Sequence, residues 1–462
     1  MTYCGDRKQL KIAIIGAGPA GLGTAIELAK LPFIQWDLYE KRSNLSEIGG
    51  GFTLQPQTWR ILEHNGVAKD LCAQDYYRSA EGLVEQRRNG RTGELLIEKC
   101  NPEDVPASRH SCRLARAKLQ RAMMNSVDES HIYLSKRLVD FEHLPDNRVR
   151  ILIEDGTIDD VDLLIAADGI RSLIRKTCFP QHTLRFNGQF VYRTIVSQDE
   201  ASKIEGIPWA PVFWKHVSGL YVFTCPLGDN DFEVTARIRR PAGHQEPVSW
   251  GRPVDLEGVL PEYDDFCPPV REILRLAARG DTQEFALHSG PRLDHVVHHG
   301  NIAFIGDASH ALLGNFGSGA GFALEDVFAL TRVIQWAWMR GKQLVDALSL
   351  FDSIRSPHYG RLYQTIDKFA NIKAALRTEG LLINDEIAER VRRISLASES
   401  WMFYYDIDKA VEKVLQDTNA TNAGSETAET PQRAISSEGN CLGQLDQTVT
   451  DTREPYGMGF SV

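Results

Sequence analysis

The stretch LKIAIIGAGPAGLGTAIELAK, Leu10 to Lys30, decides the fold. A β-branched run ends in a tight glycine turn, and apolar residues then recur at helical spacing. Gly16, Gly18 and Gly21 form GxGxxG. The first permits the turn, the second lets backbone approach a pyrophosphate, and the third lets helix pack on strand. The helix start offers unpaired N–H groups and a positive dipole end to phosphate. A second strand, IQWDLYEKR, reaches Glu40 nineteen residues past Gly21, where an acid is expected to accept hydrogen bonds from a ribose. Together these features predict a dinucleotide site in a Rossmann-like α/β domain.

The 462 residues suffice for two or three domains. An apolar fraction of 42% and a charged fraction of 25% are those of an ordinary globular chain. A net charge of −10 argues against nonspecific nucleic-acid binding, which needs a basic patch. The polar lead MTYCGDRKQLK is not a secretory signal, and no apolar run nears the roughly 18 residues of a spanning helix. Eight scattered cysteines without a CxxC pair predict small buried residues in a reducing, cytoplasmic setting. From about Asp417 to Asp451 the chain lacks apolar periodicity, which predicts a flexible tail.

Two later stretches bear on the ligand. VDLLIAADGIRSLIRK (Val161 to Lys176) is a strand ending in Asp168-Gly169, and NIAFIGDASHALLGNFGSGAGFALEDVFAL (Asn301 to Leu330) holds a strand ending near Asp307. Two strand-end carboxylates beside the N-terminal βαβ unit suit one long ligand lying across several strand ends. FAD has this length, and its ribitol hydroxyls need an acceptor such as Asp307.

On these residues the chain resembles the class A FAD-dependent aromatic monooxygenases with the p-hydroxybenzoate hydroxylase fold, and within them a salicylate-hydroxylase-like, fungal-type branch. The matching motifs are GAGPAGLG, LYEKR, LARAKLQRAM, AADGIRS and GDASHALLGNFGSGAGFALED, within roughly residues 10 to 410. The resemblance implies that Arg116 contacts the flavin and that Asp168 and Gly169 belong to a motif tied to FAD and NAD(P)H. It places Asp307 on the ribitol, Gly319 and Ala320 against the isoalloxazine, and Gly51, in EIGGGFTLQPQ, nearest the ring. The chain departs from the family at Gly314, Asn315 and Ser318, which predicts a looser loop beside the flavin.

Between about Pro180 and Ser289 the runs FVYRTIV, PVFWKHVSGLYVFTCPL and DFEVTARIR read as strands. By the resemblance they form the antiparallel sheet that roofs the substrate pocket. Arg193 reads either as a structural arginine snorkelling from a sheet or as a cation facing a phenolate or carboxylate. Tyr221 reads as core or as its partner; related fungal phenol hydroxylases place an Arg and a Tyr on the substrate phenolate. Trp214 reads as pocket wall or core, and His216 as a candidate base. His288, His295, His298 and His299 are too loosely spaced for a metal centre, and none is expected.

The expected architecture is α/β. A discontinuous FAD-binding domain (1–180 and 290–345) interleaves with an antiparallel-sheet substrate domain (181–289). A helical region (346–416) and a tail (417–462) follow. The expected chemistry uses bound FAD, transient NADPH or NADH, and O2. A flavin C4a-hydroperoxide hydroxylates a phenolic or phenolic-acid substrate, with decarboxylation open. Alternatives are epoxidation or dearomatising hydroxylation of a larger secondary metabolite, and a non-enzymatic flavin redox sensor. A small aromatic substrate and O2 are the expected partners, with no nucleic acid, in a monomer or homodimer.

Overall fold

The glycine turn at Gly16 joins β1 (Leu10–Ile15) to α1 (Pro19–Leu28), and β2 (Ile34–Tyr39) returns parallel to β1 with Tyr39 level with Ile15. The computed structural model describes residues 8–45, 50–217, 219–240, 250–290, 292–310, 312, 319–398 and 400–426. The readings on Glu47, Gly314, Asn315 and Ser318 therefore lie outside the described residues. On the other side of β1 runs β3 (Leu163–Ala166), parallel and with Ala166 level with Ile15. A short helix, α2 (Leu173–Cys178), follows it.

The chain then leaves this sheet for a second one. Its strands β4 (Arg185–Ser197), β5 (Val212–Lys215), β6 (Tyr221–Pro226) and β7 (Asp231–Arg239) are antiparallel to their neighbours among these. The helix α3 (Pro268–Ala277) packs on them, and β8 (Thr282–Ser289) pairs with β4. Among the described residues the order is Trp250–Val254, β8, β4, β7, β6, β5, Leu83–Asn89, Leu95–Cys100. The sheet thus extends beyond residues 181–289. Strand Leu83–Asn89 runs parallel to β5, Phe213 level with Arg87, and occupies an edge whose N–H and C=O groups would otherwise lack ladder partners.

Strand periodicity gives this sheet two faces. Phe232, Val234, Ala236 and Ile238 of β7 enter an apolar core with Trp214 and Val222. α3 presents Val270, Ile273, Leu274 and Ala277 to the same core, the spacing of one helical stripe. Glu233, Thr235 and Arg237 alternate with the core residues and face a cavity instead.

The chain finally returns beside β3 as β9 (Ile302–Phe304), with Phe304 level with Ala166. The helices α4 (Gly319–Met339), α5 (Leu344–Leu376) and α6 (Ile383–Ala397) follow. α1, α4 and α5 share the largest core, which includes Leu22, Phe322, Leu324 and Phe351. Residues 1–416 form one compact unit. The second unit, residues 417–462, is described only to Glu426, where the helix Ile407–Glu426 ends. Residues 417–426, expected in the tail, are instead the last turns of that helix, and the rest of the expected tail lies outside the described residues.

Cys112, Cys225 and Cys267 are buried as expected, but Cys72 and Cys100 are exposed. Leu83–Asn89 and Leu95–Cys100 are paired at the sheet edge, and Cys100 ends the outer strand. Among the described residues no helix is long and apolar enough to cross a membrane.

Phe351 is fully buried, whereas Leu396 is 74% exposed. Phe351→Ala should lower unfolding free energy by about 4 kcal/mol through lost burial and a cavity. Leu396→Ala should stay within about 0.5 kcal/mol of the parent. Urea denaturation of the two variants checks this.

Candidate functional site

Four parallel strands end at one edge, because Tyr39, Ile15, Ala166 and Phe304 stand level across the sheet. Gly16, Glu40, Asp168 and Asp307 leave the strands at that edge. Gly16 has φ +107°, and a Cβ there would lie 2.5 Å from Ala167 O. A Cβ on Gly21 would lie 1.8 Å from Gly16 O, so the turn closes on α1 only with glycine at both positions. The position of a Gly18 Cβ is open, with nothing within 4 Å, at the start of α1. Glu40 accepts from Ala17 N at 2.8 Å and from Arg42 N at 2.9 Å. Its carboxylate thus braces the glycine turn as well as lining the cavity.

Asp168 caps α2 by accepting from Leu173 N at 2.8 Å. Among the described residues its Oδ1 is buried with no hydrogen-bond partner, and burial pushes its pKa up. Arg175, on α2, donates to Asp307 O at 3.0 Å and Ala308 O at 2.8 Å. This guanidinium ties the turn after β3 to the turn after β9.

Behind the second turn sits a network with no solvent exposure. Asp326 accepts from Gly306 N at 2.9 Å, Arg355 Nε at 2.7 Å and the Tyr359 hydroxyl at 2.7 Å. Arg355 also donates to Glu325 Oε2 at 3.0 Å. Desolvation pushes Glu325 up to about 8 and raises Asp326 as well. Three donors favour the ionised form of Asp326, whereas burial with a single donor favours the protonated form of Glu325. His310 stacks on Tyr359 at 4.0 Å and shares a 2.6 Å hydrogen bond between Nδ1 and Ser309 Oγ. Burial pushes its pKa down, so the ring stays neutral in this network.

One cavity of about 1270 Å³ joins the strand-end turns to the antiparallel sheet. Every residue expected at the cofactor except Gly21 lines it, including Gly51, Arg116, Gly319 and Ala320. Asp307 Oδ1 lies 4.0 Å from where a Gly319 Cβ would stand. Gly51 N donates to Glu233 Oε2 at 3.2 Å. Glu233 is buried, ion-paired with Arg113, and accepts from Thr235 Oγ1 at 2.9 Å. The cradle suits a dinucleotide carrying a polar tail: space opens above Gly18, a helix N-terminus faces it, and Asp168 Oδ1 lacks a partner.

Arg193 and Tyr221 share the cavity face of the sheet but do not pair with each other. Arg193 stands level with Thr235, and Tyr221 with Arg237, one pleat further along. Arg193 Nε is buried without a hydrogen-bond partner among the described residues. Desolvation presses the Arg193 pKa down, and Glu233 opposes that shift. Its guanidinium carbon is 5.4 Å from the Phe285 ring centroid. Trp214 faces the core, donating to Thr224 Oγ1 at 3.1 Å, so it is no pocket wall. His216 contacts Asp265 Oδ2 at 3.1 Å.

Several site residues gave no clear sequence signal. Glu233 was visible only as an acid inside an apolar strand, and its partner Arg113 lies in a distant strand. Arg355 lay in the expected helical region 346–416, with nothing local to mark it. The histidines also regroup: His295 pairs with Asp352 at 2.7 Å. His298 and His299 instead meet His143, with candidate ligand nitrogens within 4.8 Å of one another.

Residues 9–236 match the FAD binding domain family. The chain is 30% identical over 331 residues to a 2-heptyl-3-hydroxy-4(1H)-quinolone synthase from Pseudomonas aeruginosa, covering 70% of this chain and 80% of that protein. It is 28% identical over 428 residues to a salicylate hydroxylase from Pseudomonas putida, covering 88% and 94%. A solved salicylate hydroxylase substrate complex shares the fold, with a TM-score of 0.73 at 21% identity over 88% of this chain and 98% of that one.

The buried network gives a pH signature. A carboxyl whose pKa is raised by folding stabilises fully below its ordinary value of 4.5 and loses that contribution as pH rises through about 8. Glu325→Gln should therefore flatten the fall in melting temperature between about pH 5 and pH 8. Thermal denaturation across that range measures the slope, and a slope equal to the parent's would rule out the proton on Glu325.

Proposed function

The chain belongs to the FAD-dependent monooxygenases, and on that premise we propose that it uses NAD(P)H and O2 to hydroxylate a phenolic or phenolic-acid substrate. The observation that carries this reading is one continuous cavity, with a nucleotide cradle at one end and an arginine-bearing sheet face at the other. FAD, when bound, would supply the redox chemistry between NAD(P)H, O2 and the substrate.

The chain's own groups bind, orient and exclude water. Gly16 and Gly18 with the N–H groups of α1 would hold the pyrophosphate, with Gly21 letting α1 close on the turn, Glu40 on the ribose and Asp307 on the ribitol. Arg116, Gly51, Gly319 and Ala320 take the isoalloxazine end, and Asp168 Oδ1 remains as a further acceptor. α4 begins at Gly319, so its positive dipole end favours negative charge there. Arg193 holds the substrate oxygen as a phenolate, which makes the ring more electron-rich. Tyr221 positions the far edge of the ring, and Phe213, Phe223 and Phe285 supply apolar wall around it.

A carboxylate on the attacked carbon would leave as CO2, and one elsewhere would stay. Oxidation of a larger aromatic metabolite, by epoxidation or dearomatising hydroxylation, is the second reading.

The test is NAD(P)H consumption by the FAD-loaded protein with a panel of phenols and phenolic acids, and product masses. A gain of one oxygen supports hydroxylation; a gain of oxygen with loss of CO2 supports the decarboxylative form. No stimulation by any phenol would sink the reading. Arg193→Gln should lower kcat/KM about 100-fold while FAD content holds.

A further inference from the structure

The cavity continues past the level of Arg193, and its charge balance changes there. At the level of Glu233 each charge has a counterpart: Glu233 pairs with Arg113. One pleat further stand Arg193 and Thr235; a second pleat brings Arg237, Tyr221 and Lys215 into one row across β7, β6 and β5. Each pleat advances two residues, about 7 Å, the length of an aromatic ring with a short substituent.

This far row is cationic. Lys215 Nζ lies 4.3 Å from the Phe213 ring centroid and 4.4 Å from that of Tyr221, and it donates to no acceptor among the described residues. Arg237 reaches the neutral Gln189, and its Nε is buried without a partner among the described residues. Lys373, from α5, lines the same cavity and donates to no acceptor among the described residues. Its charged neighbours are Arg237, Arg390, Arg239 and Arg377. The nearby acids are already engaged, Glu85 by Arg87 and Glu386 by Arg390.

Resting on the hydroxylase reading above, we propose that Lys215, Arg237 and Lys373 form a subsite for an anionic substituent, so that the substrate is an aromatic ring carrying a carboxylate on the side opposite the oxidised edge. Cations that outnumber the acids around them raise each other's free energy, and a bound carboxylate relieves that repulsion. An acid seated there is remote from the attacked carbon and keeps its carboxyl.

Electrostatics give the subsite a pH dependence. Lys215 is pushed down to about 7 by burial and by Arg87, Arg237 and Lys373, against the opposing pull of Glu85. Lys373 is pushed down to about 8 by burial and its four arginines. Anion binding needs both protonated, so it strengthens at low pH and fades as pH rises through these values.

The test compares p-cresol with 3-(4-hydroxyphenyl)propanoate on the FAD-loaded protein, by flavin difference spectra and calorimetry. Near pH 6 the propanoate should bind about ten-fold more tightly, the scale of one charge-assisted hydrogen bond. That ratio should fall by about pH 9 to what Arg237 alone sustains. Lys215→Met and Lys373→Met should each reduce the ratio, and Lys215→Arg should restore it, with FAD content reporting the fold. Equal affinities in the parent, or an unchanged ratio in both methionine variants, would overturn the proposal. Lysine-dependent competition by adenosine bisphosphate would also overturn it, assigning these cations to a nicotinamide cofactor. If neither phenol stimulates NAD(P)H oxidation while the lysine-dependent ratio persists, the hydroxylase reading falls and the anion subsite stands.

Discussion

Asp326 holds the cradle together. One carboxylate, without solvent, receives the Gly306 amide from the turn after β9, the Tyr359 hydroxyl and the Arg355 guanidinium. It joins the strand edge to two helices at a point where no water can substitute. Burying such a pair does not by itself stabilise a protein, but removing one member leaves a charge with nowhere to go. The network therefore acts chiefly as a specifier: only one placement of the turn satisfies it. Arg175 adds a second brace by joining that turn to the one after β3. Two strand ends separated by a whole sheet are in this way set at fixed distance.

Glu233 plays the matching part at the boundary between the two sheets. It neutralises Arg113, receives the Gly51 amide, and leaves Arg193 as the first cation on the sheet face without a buried acid bonded to it. A charged residue in the middle of a strand is tolerated because its neighbours satisfy it on every side. The pair divides the cavity wall into a compensated end and an uncompensated one. Strand periodicity alone assigns the residues of β7 to these roles.

What was legible in the sequence was local or periodic. The turn at Gly16, the acid at Glu40 and the alternation around Arg193 each lie within one or two elements, and pattern reaches that far. Glu40 shows where pattern stops: its place was legible, but its hydrogen bonds to Ala17 and Arg42 depend on how the chain folds back. The strands Leu83–Asn89 and Leu95–Cys100 were missed as parts of the large sheet because their pairing with β5 is long-range. Arg113 with Glu233, and Arg175 with Asp307, are joined across 120 and 132 residues, and nothing in either segment announces the other. The row of Lys215, Tyr221 and Arg237 needed the register of three strands, which composition does not contain.

The threading of the parallel sheet sets an order of assembly. β1 and β3 are made early, but β9 and the helix bearing Asp326 follow the entire antiparallel sheet in the chain. A nascent polypeptide leaves the ribosome N-terminus first and gains structure as its segments become complete. The strands β4 to β8 have all their partners before β9 exists, whereas the nucleotide cradle still lacks one wall and its carboxylate anchor. A chain cut after β8 would keep every strand of the antiparallel sheet and lose β9 together with the Asp326 anchor of the cradle.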